Sequence, residues 1–146
     1  MRQTGFMSAS AAYALTHHFP LLPRVHALTR KLEKGLEDIG VRITSRAETC
    51  MVFYDPSPIG VSYAELVTRA SQLREPIKLG GSRLVVHIQT AEDTVDDFLA
   101  LVRQLAQEKK DAGFVYSEEQ QKANGVGRSS IYVKVKGPDA EQATKP

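Results

Sequence analysis

One cysteine, Cys50, in 146 residues leaves no internal disulfide and no multi-cysteine zinc site. Charge of one sign is scarce as well: nineteen Lys plus Arg face seventeen Asp plus Glu, a net of +2. So small an excess gives no support for a nucleic-acid or membrane-surface partner. No apolar run approaches the ~18 residues that a membrane span needs. Ser, His, Thr and Tyr interrupt residues 1–20, where a signal peptide would need an unbroken apolar stretch. No internal repeat is present. The remainder, 42% hydrophobic and 25% charged, fits the expectation of one soluble, reduced, cytoplasmic domain long enough to bury a core.

Residues 7–15 are rich in alanine and small side chains and favour helix, closed by His17, His18, Phe19 and Pro20. Pro20-Leu21-Leu22-Pro23 is expected to break the chain. Val25, Leu28, Leu32, Leu36 and Ile39 then form an amphipathic stripe with Gly40 as its stop. Residues 41–45 alternate as a half-buried strand. Residues 50–54 are apolar throughout, as suits a strand buried on both faces, and the short link allows a hairpin. Ser62 and Glu65 read as a capping box for a helix striped by Leu66, Val67, Ala70 and Leu73, ended by Glu75-Pro76. Gly80-Gly81-Ser82 leads into a β-branched strand over 83–88. Thr90 with Asp93 is expected to cap the last helix, whose apolar face is Val95, Phe98, Leu99, Val102, Leu105 and Ala106.

Beyond Asp111 the chain turns polar, and the alternation over 130–136 would add an edge strand. The order helix, helix, strand, strand, helix, strand, helix gives an α+β two-layer sandwich, a three-stranded sheet (four with 130–136) under packed helices. If the strands over 50–54 and 83–88 lie parallel, the helix between them crosses over right-handed.

Few residues carry a chemical signal. His17-His18 lacks ligands three or four positions away, so a solvent-facing helix end accounts for it better than a metal. His26 and His87 are solitary and read as hydrogen-bonded core histidines, and Cys50 reads as an inert core thiol. Gly80-Gly81-Ser82 lacks the Gly-Lys-Ser/Thr ending of a phosphate loop and precedes a strand, which makes it a turn. Arg83 differs in kind. It opens an apolar strand directly after a glycine pair, where its planar fork can grip a carboxylate bidentately; a surface or salt-bridged arginine is the ordinary alternative.

Several stretches together resemble the C-terminal part of threonine aldolases, the fungal form in particular. Met1-Arg2-Gln3-Thr4-Gly5 is similar to the second half of that family's G-G-G-M-R-Q motif, and Ala11-Ala12-Tyr13-Ala14-Leu15 follows as it does there. Glu48-Thr49-Cys50-Met51-Val52-Phe53 resembles E-T-N-M-V-F, with Cys50 for Asn. Arg83-Leu84-Val85-Val86-His87 resembles R-L-V-T-H, with Val86 for Thr. The likeness runs from Met1 to about Tyr116.

The resemblance implies a lyase that uses pyridoxal 5'-phosphate to cleave L-threonine or L-allo-threonine to glycine and acetaldehyde. It makes Arg83 the substrate-carboxylate arginine and Arg2 a contact to the cofactor phosphate of a neighbouring subunit. It also implies a division into a helix over 1–20 that joins a large domain, a small α+β domain over 21–116 and a polar tail over 117–146. The family's Schiff-base lysine lies upstream of the motif with which this sequence begins. The chain is therefore expected to hold no catalytic lysine and no cofactor alone, and to be inactive by itself. Expected partners are the amino-acid substrate of the complete enzyme and a homo-oligomer or other aldolase subunits. A non-catalytic interaction module or remnant that associates with such subunits is the alternative, and a small ligand-binding domain a third. The apolar faces of the first two helices are expected to be partly uncovered without the large domain.

Overall fold

Helix α1 (Thr4–Tyr13) opens the described part of the chain, residues 3–116 of the computed structural model. The expected break before the second helix is a distortion and not an interruption. A π-helical turn, Ala14–His18, and a 3-10 turn, Phe19–Leu21, carry the chain into α2 (Leu22–Ile39). Each proline sits in the first turn of its own segment, where its missing N–H removes no helical bond. α2 stops where its sequence says: Gly40 takes φ +98°, and the N–H groups of Gly40 and Val41 return to the carbonyls of Glu37 and Leu36.

β1 (Arg42–Ser45) and β2 (Met51–Asp55) form the expected antiparallel hairpin, with Thr44 as an extra residue where the register shifts. α3 (Tyr63–Ser71) starts on Ser62, whose hydroxyl accepts from the Glu65 N–H. The reciprocal half of the capping box is missing because the Glu65 carboxylate pairs with Lys109 at 2.9 Å instead. β3 (Arg83–Val85) lies antiparallel to β2, which removes the right-handed crossover conditional on parallel strands. The sheet order is β1-β2-β3, so β3 is an edge.

β3 is shorter than the 83–88 read from its β-branched residues. After Val86 the chain turns: the His87 N–H donates to Thr90 Oγ1 and the Thr90 N–H to the His87 carbonyl, each at 2.9 Å. That turn occupies the Thr90 hydroxyl, so the expected Thr90 cap does not form. α4 (Glu92–Asp111) begins on Ala91 with acidic Glu92 and Asp93 in its first turn.

Val52, Tyr54, Leu84 and Val86 point inward and are buried under α2 and α4, whose stripes supply Val25, Leu28, Leu32 and Leu36, and Val95, Phe98, Val102 and Leu105. On the other side of β2, Met51 and Phe53 are half-buried, so this strand is fully buried on one face and not on two. The helices cross closely: a Cβ on Gly35 of α2 would stand 2.5 Å from a Leu99 methyl of α4. Lys31 of α2 adds ion pairs to Glu92 and Asp96, and these two acids raise its pKa. The expectation that the apolar face of α2 is partly uncovered is thus wrong, since that stripe is core. α1 is the opposite case, with no buried residue at all. Arg2, residues 117–146 and the edge strand expected over 130–136 lie outside the described residues.

Candidate functional site

Arg83 stands first on β3, directly opposite Phe53 of β2 and on the sheet face away from the helices. It is exposed and makes no hydrogen bond or ion pair among the described residues. The acid on the same face of β2 is already committed. Burial would raise the Asp55 carboxyl, but bonds from Ser57 and the Arg42 guanidinium outweigh it and hold the group below the usual carboxylate range. Next to this cluster, burial and the Asp55 charge push Tyr63 up to about 12, so its phenol stays protonated at neutral pH and donates to the Tyr54 carbonyl. Among the described residues nothing occupies the fork of Arg83, a group whose geometry suits a carboxylate.

Beside Arg83 a cleft of about 420 Å³ runs along the free edge of β3. Leu32, Val86, Val95 and Phe98 of the core form its depth, and the irregular segment bearing Ile77 and Leu79 forms its outer wall. Lys78 and Arg83 line it too, with Thr90 and Thr94. Among the described residues no acid does. Arg24 of α2 braces the neighbouring turn, donating to the carbonyls of Ile88 (3.3 Å) and Thr90 (3.0 Å). Lys78 and Arg24 were not legible as part of a site. The sole hint was that Lys78 precedes the same glycine pair as Arg83.

The remaining candidates fall away from this cleft. His87 is exposed, a turn residue whose Nδ1 accepts from the Gln89 N–H, and His26 is half-buried, so neither is a core histidine. A strand that ends at Val85 leaves His87 outside the sheet. His17 and His18 are exposed at a helix end, as expected, packed against Tyr13. Cys50 is half-buried just before β2 and packs against the core. Among the described residues no group of three His, Cys, Asp or Glu could hold a metal, and no helix is long and apolar enough to cross a membrane.

The sequence is 30% identical over 96 residues to a probable low-specificity L-threonine aldolase of Schizosaccharomyces pombe, covering 66% of this chain and 24% of that protein. It is 35% identical over 97 residues to Aldolase vrtJ of Penicillium aethiopicum, covering 65% and 24%. A low-specificity L-threonine aldolase of Candida albicans is 27% identical over 97 residues, covering 66% and 26%. The chain thus spans about a quarter of the length of the curated relatives it matches. No family model and no solved structure matches it. With an α+β domain around Arg83, and three aldolases aligned to about two-thirds of the sequence, the similarity supports a threonine aldolase-like family.

Proposed function

We propose that this chain is the C-terminal part of a cytoplasmic threonine aldolase-like lyase, with Arg83 as the group that binds the substrate carboxylate. The observation that carries the reading is an arginine at the head of β3 with no partner among the described residues, beside a cleft that no described acid lines. A guanidinium there holds a carboxylate by two parallel N–H···O bonds and fixes the orientation of the amino acid. Residues 21–116 serve as the small domain, and the helix over 1–20 as the joint to the remainder of the enzyme. Arg2 is proposed as a phosphate contact across subunits.

The described residues do not fit pyridoxal 5'-phosphate by themselves. Lys31 is tied to Glu92 and Asp96, and Lys109 to Glu65. Lys34 and Lys110 are exposed on helices, and Lys78 is exposed at the cleft. None stands enclosed beside a set of phosphate donors. The cofactor and the bond-breaking chemistry are accordingly assigned to other parts of the complete enzyme, and the isolated chain is expected to release no glycine from L-threonine when mixed with the cofactor.

The test is a chimera in which residues 1–116 replace the matching quarter of the fission-yeast relative. Threonine cleavage should persist. Arg83→Ala should lower kcat/KM on the order of 100-fold, mostly through KM, with partial recovery in Arg83→Lys. An Arg83→Ala chimera as active as its parent overturns the assignment. A second reading, an association module for aldolase subunits, is favoured by the bare apolar surface of α1. Co-purification of the chain with a full-length aldolase, lost on substituting Phe6 and Leu15 by Ser, would support it.

A further inference from the structure

We infer that the cleft on the β3 edge binds carboxylates that carry an extended apolar chain, a wider ligand class than threonine. The inference rests on Arg83 as a carboxylate anchor and adds the apolar depth next to it. Three observations converge. First, the deep lining is hydrocarbon from Leu32, Val86, Val95 and Phe98, and a cleft of about 420 Å³ is within the size range that encloses small ligands. Second, the charged residues among its described lining, Lys78 and Arg83, are both cations, and neither has a hydrogen bond or ion pair among the described residues. An anionic head is complementary to that pair, while a cationic head is repelled.

Third, the backbone register turns further donors to the same side. Tyr54 N–H bonds the Ser82 carbonyl and Val86 N–H the Cys50 carbonyl, so the main-chain groups of Ser82 and Val86 face β2. Those of Arg83 and Val85, between them, face the free edge. The Thr90 hydroxyl accepts from the His87 N–H and keeps its own proton for donation toward the cleft. Arg83 points to the outer face but borders the cleft at the free edge of β3, so a carboxylate held there has its chain passing that edge to Val86 and Phe98 and uses both kinds of surface at once.

The experiment titrates acetate, butyrate, hexanoate and octanoate, with octanol and octylamine as head-group controls, into the full chain. Amide and methyl NMR shifts provide the readout, below micelle-forming concentrations. Affinity should rise about fourfold per methylene until the cleft is filled. Octanoate should exceed octanol and octylamine by at least tenfold, with shifts at Val86, Val95 and Phe98. Arg83→Gln should erase the preference of octanoate over octanol while octanol binding persists. Equal affinity for acetate and octanoate, indifference to the head group, shifts confined to residues 6–21, or no binding in the series each overturns the inference. Because aldolase activity is not read, an active, Arg83-dependent chimera with no octanoate binding would sink this inference alone. Binding of octanoate with an Arg83-independent chimera would sink the functional reading alone.

Discussion

α1 and α4 are both rich in apolar residues, yet one has no buried residue and the other has seven. The difference lies in arrangement. In α4, Val95, Phe98, Leu99, Val102, Leu105 and Ala106 recur at three and four positions, so one stripe meets the sheet and α2 while mostly charged and polar residues occupy the opposite face. In α1, Phe6, Met7, Ala9, Ala11, Ala12 and Tyr13 surround the whole circumference, and no Asp, Glu, Lys or Arg occurs between Arg2 and Arg24. A helix apolar all round is built to be enclosed, not to rest on a surface. Phe6 is 76% exposed and Leu15 65%, so the residues that would enclose α1 are not among those described. A partner, in the same longer chain or another, is the physical counterpart of that pattern.

The contrast can be broken at its strongest point first. Leu105 is fully buried, and Leu105→Ala should cost about 2–5 kcal/mol of unfolding free energy in denaturant titration. A loss below about 0.5 kcal/mol would mean the α4 stripe is no better packed than α1. Gly35→Ala tests the α2–α4 crossing: its methyl group would meet Leu99, and overpacking of this kind costs about 1–3 kcal/mol. An unchanged midpoint would show that the Leu99 side chain gives way freely.

The packed half also carries an acid sensitivity that uncharged α1 lacks. Asp55 has its folded pKa below the unfolded value of about 3.9, so its contribution is complete above that pH. It is lost as pH falls through the lower, folded value. Asp55→Asn should therefore flatten the acid limb of a stability–pH curve, whereas Phe6→Ser should leave its slope unchanged; equal slopes in Asp55→Asn and the parent refute this. The smallest effect on stability is expected in α1 itself. Phe6→Ser with Leu15→Ser should alter unfolding free energy by no more than about 0.5 kcal/mol. The same pair should lower binding of a hydrophobic dye, and a drop of 2 kcal/mol or more would show that α1 is packed after all.

Periodicity carried most of the architecture. The stripes of α2 and α4, Gly40 as a stop, Ser62 as a cap and the order of seven elements are all local patterns that the chain obeys. Tertiary competition decided the rest. Thr90 has one hydroxyl, and the turn after Val86 claimed it before α4 could. That same turn shortened β3 and put His87 in solvent, against its β-branched surroundings. The antiparallel setting of β3 depends on where the chain returns after α3, which no local pattern records. For the site, Arg83 could be singled out because a cation heading an apolar strand is unusual in itself. Lys78, Arg24 and the wall of the cleft could not: Arg24 reaches the neighbouring turn across more than 60 residues of chain, and Lys78 and the wall face a cleft whose depth comes from α2 and α4.

The π-helical turn at Ala14–His18 has a mechanical consequence. Its extra residue, marked by the Phe19 N–H reaching the Ala14 carbonyl, advances the helix by a fraction of a turn relative to a regular one. Removing one residue there would rotate every side chain from Phe6 to Tyr13 by about 100° and draw α1 in by about 1.5 Å. The buried domain would be untouched. The turn is thus a gearing element: it sets the azimuth at which this helix meets whatever encloses it, independently of how the rest of the chain folds.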